Sequence, residues 1–297
     1  MAFHKKIAIL GGDTRQVALA NRCATEGYVV WSYALPPQEL LPQIFCVDDW
    51  RLAEKNAAAV LLPLPSSVDG VHLNQPLVRC EGAPTIEEIC AETKQGTPIL
   101  GGKISASIKK NAAQKGVWLY DYFENESLQQ KNALPTAEGA VSILMREIPR
   151  TVSGLSVGVT GYGRVAKALV DLLLAMGAHV TVLARKQAVL DEAARKGCCT
   201  VLLKEKKDIC AFAKGQAAVF NTVPHCIFTS EVLREMARGT LIVDLASAPG
   251  GVDANGAGVC GIKVIWALSL PGKYAPITAG EIIAETVLTY LREEGVL

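Results

Sequence analysis

A short glycine-rich segment near the middle of the chain carries the clearest chemical signal. Its sequence is Gly161-Tyr162-Gly163-Arg164-Val165-Ala166, and it follows an apolar run at 156–160 that is typical of a buried strand. In this pattern the first glycine permits a tight turn, the second lets the backbone approach a pyrophosphate, and the helix N-terminus faces the phosphates. The alternative is a purely structural turn. We predict a dinucleotide site that includes Gly161, Tyr162, Gly163, Arg164 and Val165.

The residues after the following strand indicate which dinucleotide is bound. An NAD site usually places an acidic side chain about 20 residues past the first glycine, where it holds the ribose 2′-hydroxyl. Here the strand predicted at 179–183 is followed by Ala184, Arg185 and Lys186, which we include in the cofactor site. A guanidinium can pair with a 2′-phosphate through two hydrogen bonds, so the sequence favours NADP(H) over NAD(H). The alternative is that both charges only face solvent at the start of a helix.

A turn after a later strand is expected to lie beside the same cofactor. The apolar run at 217–220 is followed directly by a polar turn and a proline. Open α/β sheets bind their ligands at the carboxyl ends of the strands, which is where this turn begins. We predict that it borders the nicotinamide ribose through Asn221, Thr222, Val223 and Pro224.

Two loops in the first half of the chain present groups that suit an oxyanion. Ser66 and Ser67 follow an apolar strand, and their hydroxyls and free amides suit a carboxylate, although an ordinary serine-rich turn explains them equally well. Lys103 follows two glycines where we expect a helix to begin, and a lysine at a helix N-terminus needs an anionic partner. We therefore predict that Ser66, Ser67 and Lys103 bind substrate, with Arg15 as the next candidate.

Proton transfer is assigned to residues close to the same loops. His72 is the histidine nearest to them, and an imidazole can accept a proton at neutral pH. We predict Lys103, His72 and Asp69 as the catalytic residues. The other histidines are expected to be structural or at the surface: His4, His179 and His225. No serine lies in a Gly-x-Ser-x-Gly turn, which disfavours a hydrolase.

These residues lie on strand-length apolar runs that alternate with helix-length segments along the whole chain. Strands with two apolar faces that alternate with helices are typical of a parallel sheet covered on both sides. We predict an α/β fold of two doubly wound Rossmann-like domains, with mostly parallel sheets and an interdomain cleft.

The chain divides into segments at its prolines and glycines. We predict a substrate-side domain at 1–134, a connecting helix at 135–150 and an NADP-binding domain at 151–276. Residues 271–276 are expected to form a turn-rich linker, after which a helix within 277–297 returns to the first domain.

Composition excludes several classes of partner. The 297 residues carry a net charge of +1 with no basic cluster, which disfavours nucleic acids and anionic membranes. The longest apolar stretches are far shorter than the roughly 20 residues that span a bilayer. The nine cysteines show no Cys-x-x-Cys pair and no metal-ligand spacing, so we expect reduced thiols, no metal and a cytoplasmic protein. We also expect a homo-oligomer.

The chain as a whole resembles the family of dipicolinate synthase A subunits. The resemblance runs nearly end to end and is carried by the segments 9–16, 62–65, 68–72, 161–166, 244–251 and 270–276. It implies oxidation of a dihydrodipicolinate, or of a heterocycle derived from 4-hydroxy-tetrahydrodipicolinate, to dipicolinate with NADP+. It also implies action during sporulation in the mother-cell cytoplasm, with a second, flavoprotein-like B subunit as partner.

Two alternatives remain open at the level of sequence. One is a 2-hydroxyacid or amino-acid dehydrogenase, although such 2-hydroxyacid enzymes usually carry a substrate-binding arginine where this chain has Ala246 and Ser247. The other is a non-catalytic protein that binds NADP and regulates its partner, because no compelling catalytic base stands out.

Overall fold

Each half of the chain is built around a six-stranded sheet whose strand pairs are all parallel. The computed structural model describes residues 5–80 and 82–297, so His4 lies outside the described residues. Unit 1 runs to Asn132 and resumes at Ala275–Leu297, and unit 2 comprises Ala133–Tyr274. The predicted fold class, two doubly wound Rossmann-like α/β units, is confirmed.

Unit 1 contains the first six strands and the first five helices. The strands are β1 (Lys6–Leu10), β2 (Val29–Tyr33), β3 (Phe45–Val47), β4 (Ala59–Leu61), β5 (Ile99–Gly101) and β6 (Leu119–Asp121), in the order β3-β2-β1-β4-β5-β6. The helices are α1 (Thr14–Thr25), α2 (Trp50–Glu54), α3 (Ile86–Glu92), α4 (Ala106–Gln114) and α5 (Glu126–Lys131). The Asp13 carboxylate caps α1 by accepting a hydrogen bond from the Arg15 amide.

Unit 2 repeats the same strand order with six further strands. They are β7 (Ser156–Thr160), β8 (His179–Ala184), β9 (Cys199–Leu202), β10 (Ala218–Asn221), β11 (Leu241–Asp244) and β12 (Lys263–Trp266), in the order β12-β11-β10-β7-β8-β9. The helices are α6 (Ala133–Glu147), α7 (Arg164–Ala175), α8 (Gln187–Arg195), α9 (Lys206–Ala213), α10 (Ser230–Arg234), α11 (Ala254–Cys260) and α12 (Leu270–Tyr274). The last helix of the chain, α13 (Pro276–Glu293), belongs to unit 1.

Apolar side chains cover both faces of each sheet. In unit 1 one buried cluster joins β1 to α1 and α13, and a second joins the opposite face to α2, α3 and α4. In unit 2 one cluster joins β7 to α6 and α7, and a second lies under α9, α10 and α11. Because both faces are covered, ligands have access to each sheet at its edges, and the carboxyl edge is the usual site in this architecture.

The elements differ from the sequence-based expectation in three places. β3 and β9 were not predicted, because they are short strands at the sheet edges with largely exposed side chains. The segment expected to be a turn-rich linker instead contains α12, since Leu270 and Pro271 are buried in unit 2. The helix expected to connect the domains at 135–150 is α6, and its apolar face belongs to the core of unit 2.

Helix α13 packs closely against α1, and a glycine makes the close approach possible. A Cβ at Gly280 would collide with the Arg15 carbonyl oxygen and would lie 2.6 Å from the Ala18 Cβ. Around this point Ile283, Ala284 and Val287 of α13 are buried in unit 1. The C-terminal helix is therefore part of the core of unit 1.

Replacing this glycine should separate the two helices. We expect Gly280→Leu to lower the free energy of unfolding by about 1–3 kcal/mol or more, because the added side chain overpacks the contact. Urea unfolding followed by circular dichroism measures the effect. Thr278→Leu introduces the same side chain at an exposed position of the same helix and should leave the midpoint unchanged. Equal midpoints for both variants would contradict the close approach.

Candidate functional site

The glycine loop leaves β7 at the centre of the sheet of unit 2, between β8 and β10. Gly161 has φ +79°, a conformation that favours glycine, and a Cβ there would lie 2.6 Å from the Thr222 hydroxyl. Gly163 is the N-cap of α7, and a Cβ there would meet no atom within 4 Å. Because first-turn amides have no partner inside a helix, the N-terminus of α7 favours an anion in the open space beside Gly163.

A cavity of about 350 Å³ lies on one side of this loop. Its lining comes from the ends of β7 and β8 and from the loop after β10. The lining residues are Thr160, Gly161, Tyr162, Leu183, Ala184, Arg185, Lys186, Val189, Leu203, Val223, His225 and Ile227. The walls are mainly apolar, which suits a flat adenine ring.

The charged residues of this cavity are all basic. Arg185, Lys186 and His225 are exposed, and no aspartate or glutamate is among the lining residues in the described part of the chain. An acidic side chain would repel a 2′-phosphate, whereas these three groups can donate hydrogen bonds to it. The predicted residues Ala184, Arg185 and Lys186 are thus brought together with Gly161 and Tyr162.

A second cavity of about 200 Å³ lies around the N-terminus of α7. It is lined by Gly163, Arg164, Val165, Ala166, Thr222, Pro224, Leu245, Ala246 and Ser247. Besides Gly163, four of the predicted cofactor residues are in this lining: Arg164, Val165, Thr222 and Pro224. The two cavities together provide an apolar pocket, an anion-binding helix N-terminus and a space beyond it, and these fit the three parts of a dinucleotide.

Asn221 does not line either cavity, contrary to the prediction that it borders the nicotinamide ribose. It is fully buried, and its side-chain oxygen accepts a hydrogen bond from the Thr160 hydroxyl at 2.5 Å. Its amide nitrogen donates to the Asp244 carboxylate at 2.8 Å. All its side-chain groups thus make hydrogen bonds inside the protein. These bonds support the turn that carries Thr222 and Pro224.

Tyr162 contributes to the core as well as to the cavity wall. The residue is 7% exposed, and its hydroxyl is buried without a hydrogen-bond partner in the described residues. Burial raises the pKa of Tyr162 to about 12. The Lys167 ammonium lies 5.5 Å from the ring centre, which is within the range of a cation–π contact. The tyrosine therefore supports the glycine loop as a neutral, packed ring.

In unit 1 the hydroxyls of the two predicted serines make hydrogen bonds within the protein. Ser66 is 1% exposed, and its hydroxyl lies 3.1 Å from the Pro63 carbonyl oxygen and 3.2 Å from that of Gly102. The Ser67 hydroxyl donates to the Asp69 carboxylate at 2.9 Å. The expectation that these hydroxyls bind a carboxylate is therefore corrected: Ser66 joins two loops, and Ser67 supports Asp69.

Arg15 is buried in the first turn of α1 and holds two neighbouring groups. Its guanidinium pairs with the Asp13 carboxylate at 2.7 Å and donates to the Leu64 carbonyl oxygen. The residue is only 6% exposed, yet its Nη1 makes no hydrogen bond within the described residues. The N–H groups of Nη1 are therefore available to donate to an anionic ligand.

Lys103 lies before α4, and the premise that it begins a helix is wrong. Ser105 caps that helix, and Lys103 has φ +54°, which is uncommon for a residue with a side chain. Its ammonium lies 5.0 Å from the centre of the Phe123 ring. Although the residue as a whole is exposed, desolvation of the ammonium and the charge of Arg15 lower the pKa of Lys103. An anion between the two cations would offset their repulsion.

The unusual backbone at Lys103 is held by a buried carboxylate that the sequence analysis missed. Asp121, at the end of β6, accepts hydrogen bonds at 3.0 Å from the amides of Lys103 and Ile104. It also accepts one from the Phe123 amide and pairs with the Lys109 ammonium at 2.8 Å. An aspartate that ends an apolar strand is the sequence signal that could have identified it.

Asp69 and His72 form a hydrogen-bonded pair that lines a further cavity of unit 1. The distance from His72 Nδ1 to Asp69 Oδ2 is 2.7 Å, and both side chains are about half exposed. The hydrogen bond from His72, with others from backbone amides and Ser67, holds the pKa of Asp69 well below its usual range. The cavity, of about 500 Å³, is also lined by Asn74 and Arg79. A carboxylate on Nδ1 leaves Nε2 able to exchange a proton.

The comparisons with known proteins divide the chain between two family models. The model for the N-terminal domain of the dipicolinate synthase A subunit matches residues 6–123. The model described as the alanine dehydrogenase/PNT C-terminal domain matches residues 128–295, more than half of the chain. The chain belongs to the alanine dehydrogenase/PNT C-terminal domain family. Membership indicates an oxidoreductase in general and a nicotinamide dinucleotide as cofactor.

Three comparisons with named dipicolinate synthase A subunits confirm the predicted resemblance. That of Bacillus subtilis (strain 168) is 29% identical over 290 residues, which cover 97% of this chain and 96% of the relative. The crystal structure of the Bacillus halodurans protein has a TM-score of 0.88 at 27% identity, covering 98% of this chain and 99% of that one. The crystal structure of the dipicolinate synthase A chain from Bacillus subtilis has a TM-score of 0.85 at 27% identity, and the match covers 99% of this chain and 97% of that one.

The described residues lack both a helix suited to spanning a membrane and a group of side chains suited to binding a metal ion. Among the described residues, no helix combines the length and the apolar character needed to cross a membrane. Within the same residues, no group of three or more His, Cys, Asp or Glu side chains is arranged to hold a metal ion.

The open space beside Gly163 gives a direct test of the dinucleotide site. We expect Gly163→Val to abolish dinucleotide binding, because the added side chain occupies the space for the pyrophosphate, while the fold is kept. Fluorescence titration with NADPH measures the binding. Gly258→Val is the matched control, since a Cβ there also meets no atom within 4 Å and the residue lines neither cavity. Unchanged NADPH binding by Gly163→Val would contradict the placement.

Proposed function

We propose that the chain is the A subunit of a dipicolinate synthase that oxidises dihydrodipicolinate, or a related heterocycle derived from 4-hydroxy-tetrahydrodipicolinate, to dipicolinate with NADP+. The observation that carries the proposal is the match to the A subunit of a known dipicolinate synthase over 97% of the chain, which includes both units. By analogy with these relatives, it acts during sporulation, in the mother-cell cytoplasm, with a second subunit.

NADP+ is proposed as the cofactor because of the charges around the larger cavity of unit 2. Arg185 and Lys186 stand where an NAD site usually has a carboxylate, and His225 lines the same cavity. The apolar wall of the larger cavity would hold the adenine, and the N-terminus of α7 would hold the pyrophosphate. The space lined by Thr222, Pro224 and Ala246 would take the nicotinamide end.

A dicarboxylate substrate is proposed to bind unit 1 through Arg15 and Lys103. The charge of Arg15 contributes to the lowered pKa of Lys103, so the two cations repel each other and both attract an anion. One carboxylate placed between them receives charge-assisted hydrogen bonds from both. Ser66 and Ser67 act indirectly in this proposal, by holding the loops that carry the binding and proton-transfer groups.

The reaction removes one hydride and one proton from the substrate ring, which thereby becomes aromatic. The bound nicotinamide supplies the hydride acceptor. His72 receives the proton at Nε2, while Asp69 stabilises the resulting positive charge and fixes the orientation of the imidazole through Nδ1. Arg15 and Lys103 hold the carboxylate, so that the ring keeps one orientation during the transfer.

An assay with defined components tests the proposal. Absorbance of NADPH is followed after mixing the chain, NADP+ and freshly formed dihydrodipicolinate, with and without the partner subunit. Reduction of NADP+ together with formation of dipicolinate supports the assignment. Turnover of 2-hydroxy acids with NADP+, or of 2-oxo acids with NADPH, would instead favour a general dehydrogenase, and binding of NADP+ without turnover in either mixture would favour a non-catalytic role.

The cofactor assignment predicts a selective effect at Arg185. We expect Arg185→Asp to weaken NADP+ binding at least about tenfold and to leave NAD+ binding unchanged, because a charge-assisted pair with the 2′-phosphate is replaced by repulsion. Isothermal titration with each nucleotide measures this. Arg195→Asp makes the same charge change at the far end of α8 and should alter neither affinity. Equal weakening of both nucleotides by Arg185→Asp would contradict the assignment.

The substrate assignment predicts a change in KM at Lys103. Removal of an ammonium that pairs with a carboxylate loses about 1.5–3 kcal/mol, so Lys103→Ala should raise KM about ten- to a hundredfold and leave NADP+ affinity unchanged. Because the pKa of Lys103 is lowered, KM of the wild type should rise with increasing pH before an ordinary lysine would lose its charge. Lys110→Ala, on the exposed side of α4, is the control. An unchanged KM for Lys103→Ala would place the carboxylate elsewhere.

A further inference from the structure

Three buried polar side chains form a hydrogen-bonded row across the carboxyl ends of β7, β10 and β11. Thr160 and Asn221 are 0% exposed and Asp244 is 3% exposed. The Thr160 hydroxyl donates to Asn221 Oδ1 at 2.5 Å, and Asn221 Nδ2 donates to Asp244 Oδ1 at 2.8 Å. Asn221 also binds its own turn, accepting from the Val223 amide at 3.2 Å and donating to the Val223 carbonyl oxygen at 3.0 Å. The row thus connects three strand ends through side chains alone.

Asp244, at the end of this row, holds the loop that follows β11 at two points. Its Oδ1 accepts from the Ala246 amide at 3.1 Å, and its Oδ2 accepts from the Gly251 amide at 2.7 Å. Gly251 lies so close to the row that a Cβ there would collide with the Asn221 amide nitrogen and would lie 2.8 Å from the Val223 carbonyl oxygen. Both ends of the loop are therefore fixed against the same carboxylate.

This loop forms one wall of the cavity at the N-terminus of α7. Leu245, Ala246 and Ser247 line that cavity opposite the first turn of the helix, and Thr222 and Pro224 line it from the turn after Asn221. Both the loop and the turn are hydrogen-bonded to the row. Thr160 and Val223 also line the larger cavity, but the loop that Asp244 holds directly, with Leu245, Ala246 and Ser247, lines only the smaller one. The position of Asp244 therefore determines the width of the smaller cavity.

We propose that Asp244 is the positioning residue for the nicotinamide end of the dinucleotide site. Through Asn221 and the Ala246 and Gly251 amides it fixes the two segments between which the nicotinamide ribose and ring bind. It does not touch the cofactor itself, because it is buried and both its oxygens are occupied. The inference rests on the proposed function only in requiring that unit 2 binds a dinucleotide at the glycine loop.

A pair of ligands that differ only in the nicotinamide separates this role from general stabilisation. In Asp244→Asn one carboxylate oxygen becomes an NH2 group, which cannot accept the hydrogen bond of an amide. We expect about tenfold weaker binding of NADPH and less than about twofold weaker binding of 2′-phospho-ADP-ribose, which lacks the nicotinamide. Asp208→Asn is the matched control, because Asp208 also accepts from two backbone amides but lies at the start of α9, away from both cavities.

Trp266 reports on the loop without any ligand. Its Nε1 donates to the Ala246 carbonyl oxygen at 2.9 Å, and it is the one tryptophan of unit 2 in the sequence. Subtracting the fluorescence emission of the Trp266→Phe derivative from that of the parent protein gives the emission of Trp266 alone. We expect this emission to shift in Asp244→Asn and to remain unchanged in Asp208→Asn.

A milder variant keeps the proposal testable if Asp244→Asn does not fold. Asp244→Ser removes the buried charge and keeps one oxygen at a residue that lines neither cavity, and we expect a smaller loss of NADPH affinity, again without an equal loss for 2′-phospho-ADP-ribose. Equal weakening of both ligands, or an unchanged Trp266 emission in folded Asp244→Asn, would overturn the positioning role. A wild-type protein that binds neither ligand would instead refute the proposed dinucleotide site itself.

Discussion

Loops at the carboxyl edge of a parallel sheet lie beyond the last hydrogen bonds between strands, so their backbone amides need other hydrogen-bond partners. In both units an aspartate at the end of a strand supplies them. Asp121 accepts from three amides and a lysine ammonium in unit 1, and Asp244 accepts from two amides and the Asn221 side chain in unit 2. A buried carboxylate is stabilised only when such donors surround it, so the loops and the carboxylates require each other.

The aspartate at a strand end has a different consequence in each unit. In unit 1 it holds Lys103 in a left-handed backbone conformation next to Arg15, which concentrates positive charge. In unit 2 it shapes a cavity beside the N-terminus of α7, where the positive end of the helix is the main attraction for an anion. One unit thus presents side-chain cations and the other presents backbone amides, which suits a small carboxylate and a pyrophosphate respectively.

The sequence predicted those features that depend on local pattern. The glycine loop, the central strands and the basic residues after β8 follow from spacing and residue type, and the structure brings Gly161, Arg185 and Val223 to one cavity. Features set by contacts between distant segments were not predicted. Ser66 was assigned to a ligand because its partners, the carbonyls of Pro63 and Gly102, come together only in the folded chain. Asp121 and Asp244 were missed for the same reason, since their donors lie on neighbouring loops.

The return of α13 to unit 1 also orders the events of biosynthesis. Unit 2 is continuous in sequence, so it can complete its core as soon as Tyr274 has been synthesised. Unit 1 is translated first but remains unfinished, with the face of α1 that receives Gly280 and Ile283 still exposed to water. The earlier half of the protein therefore reaches its final state later than the second half, and a nascent chain arrested before α13 would present an apolar surface to chaperones and proteases.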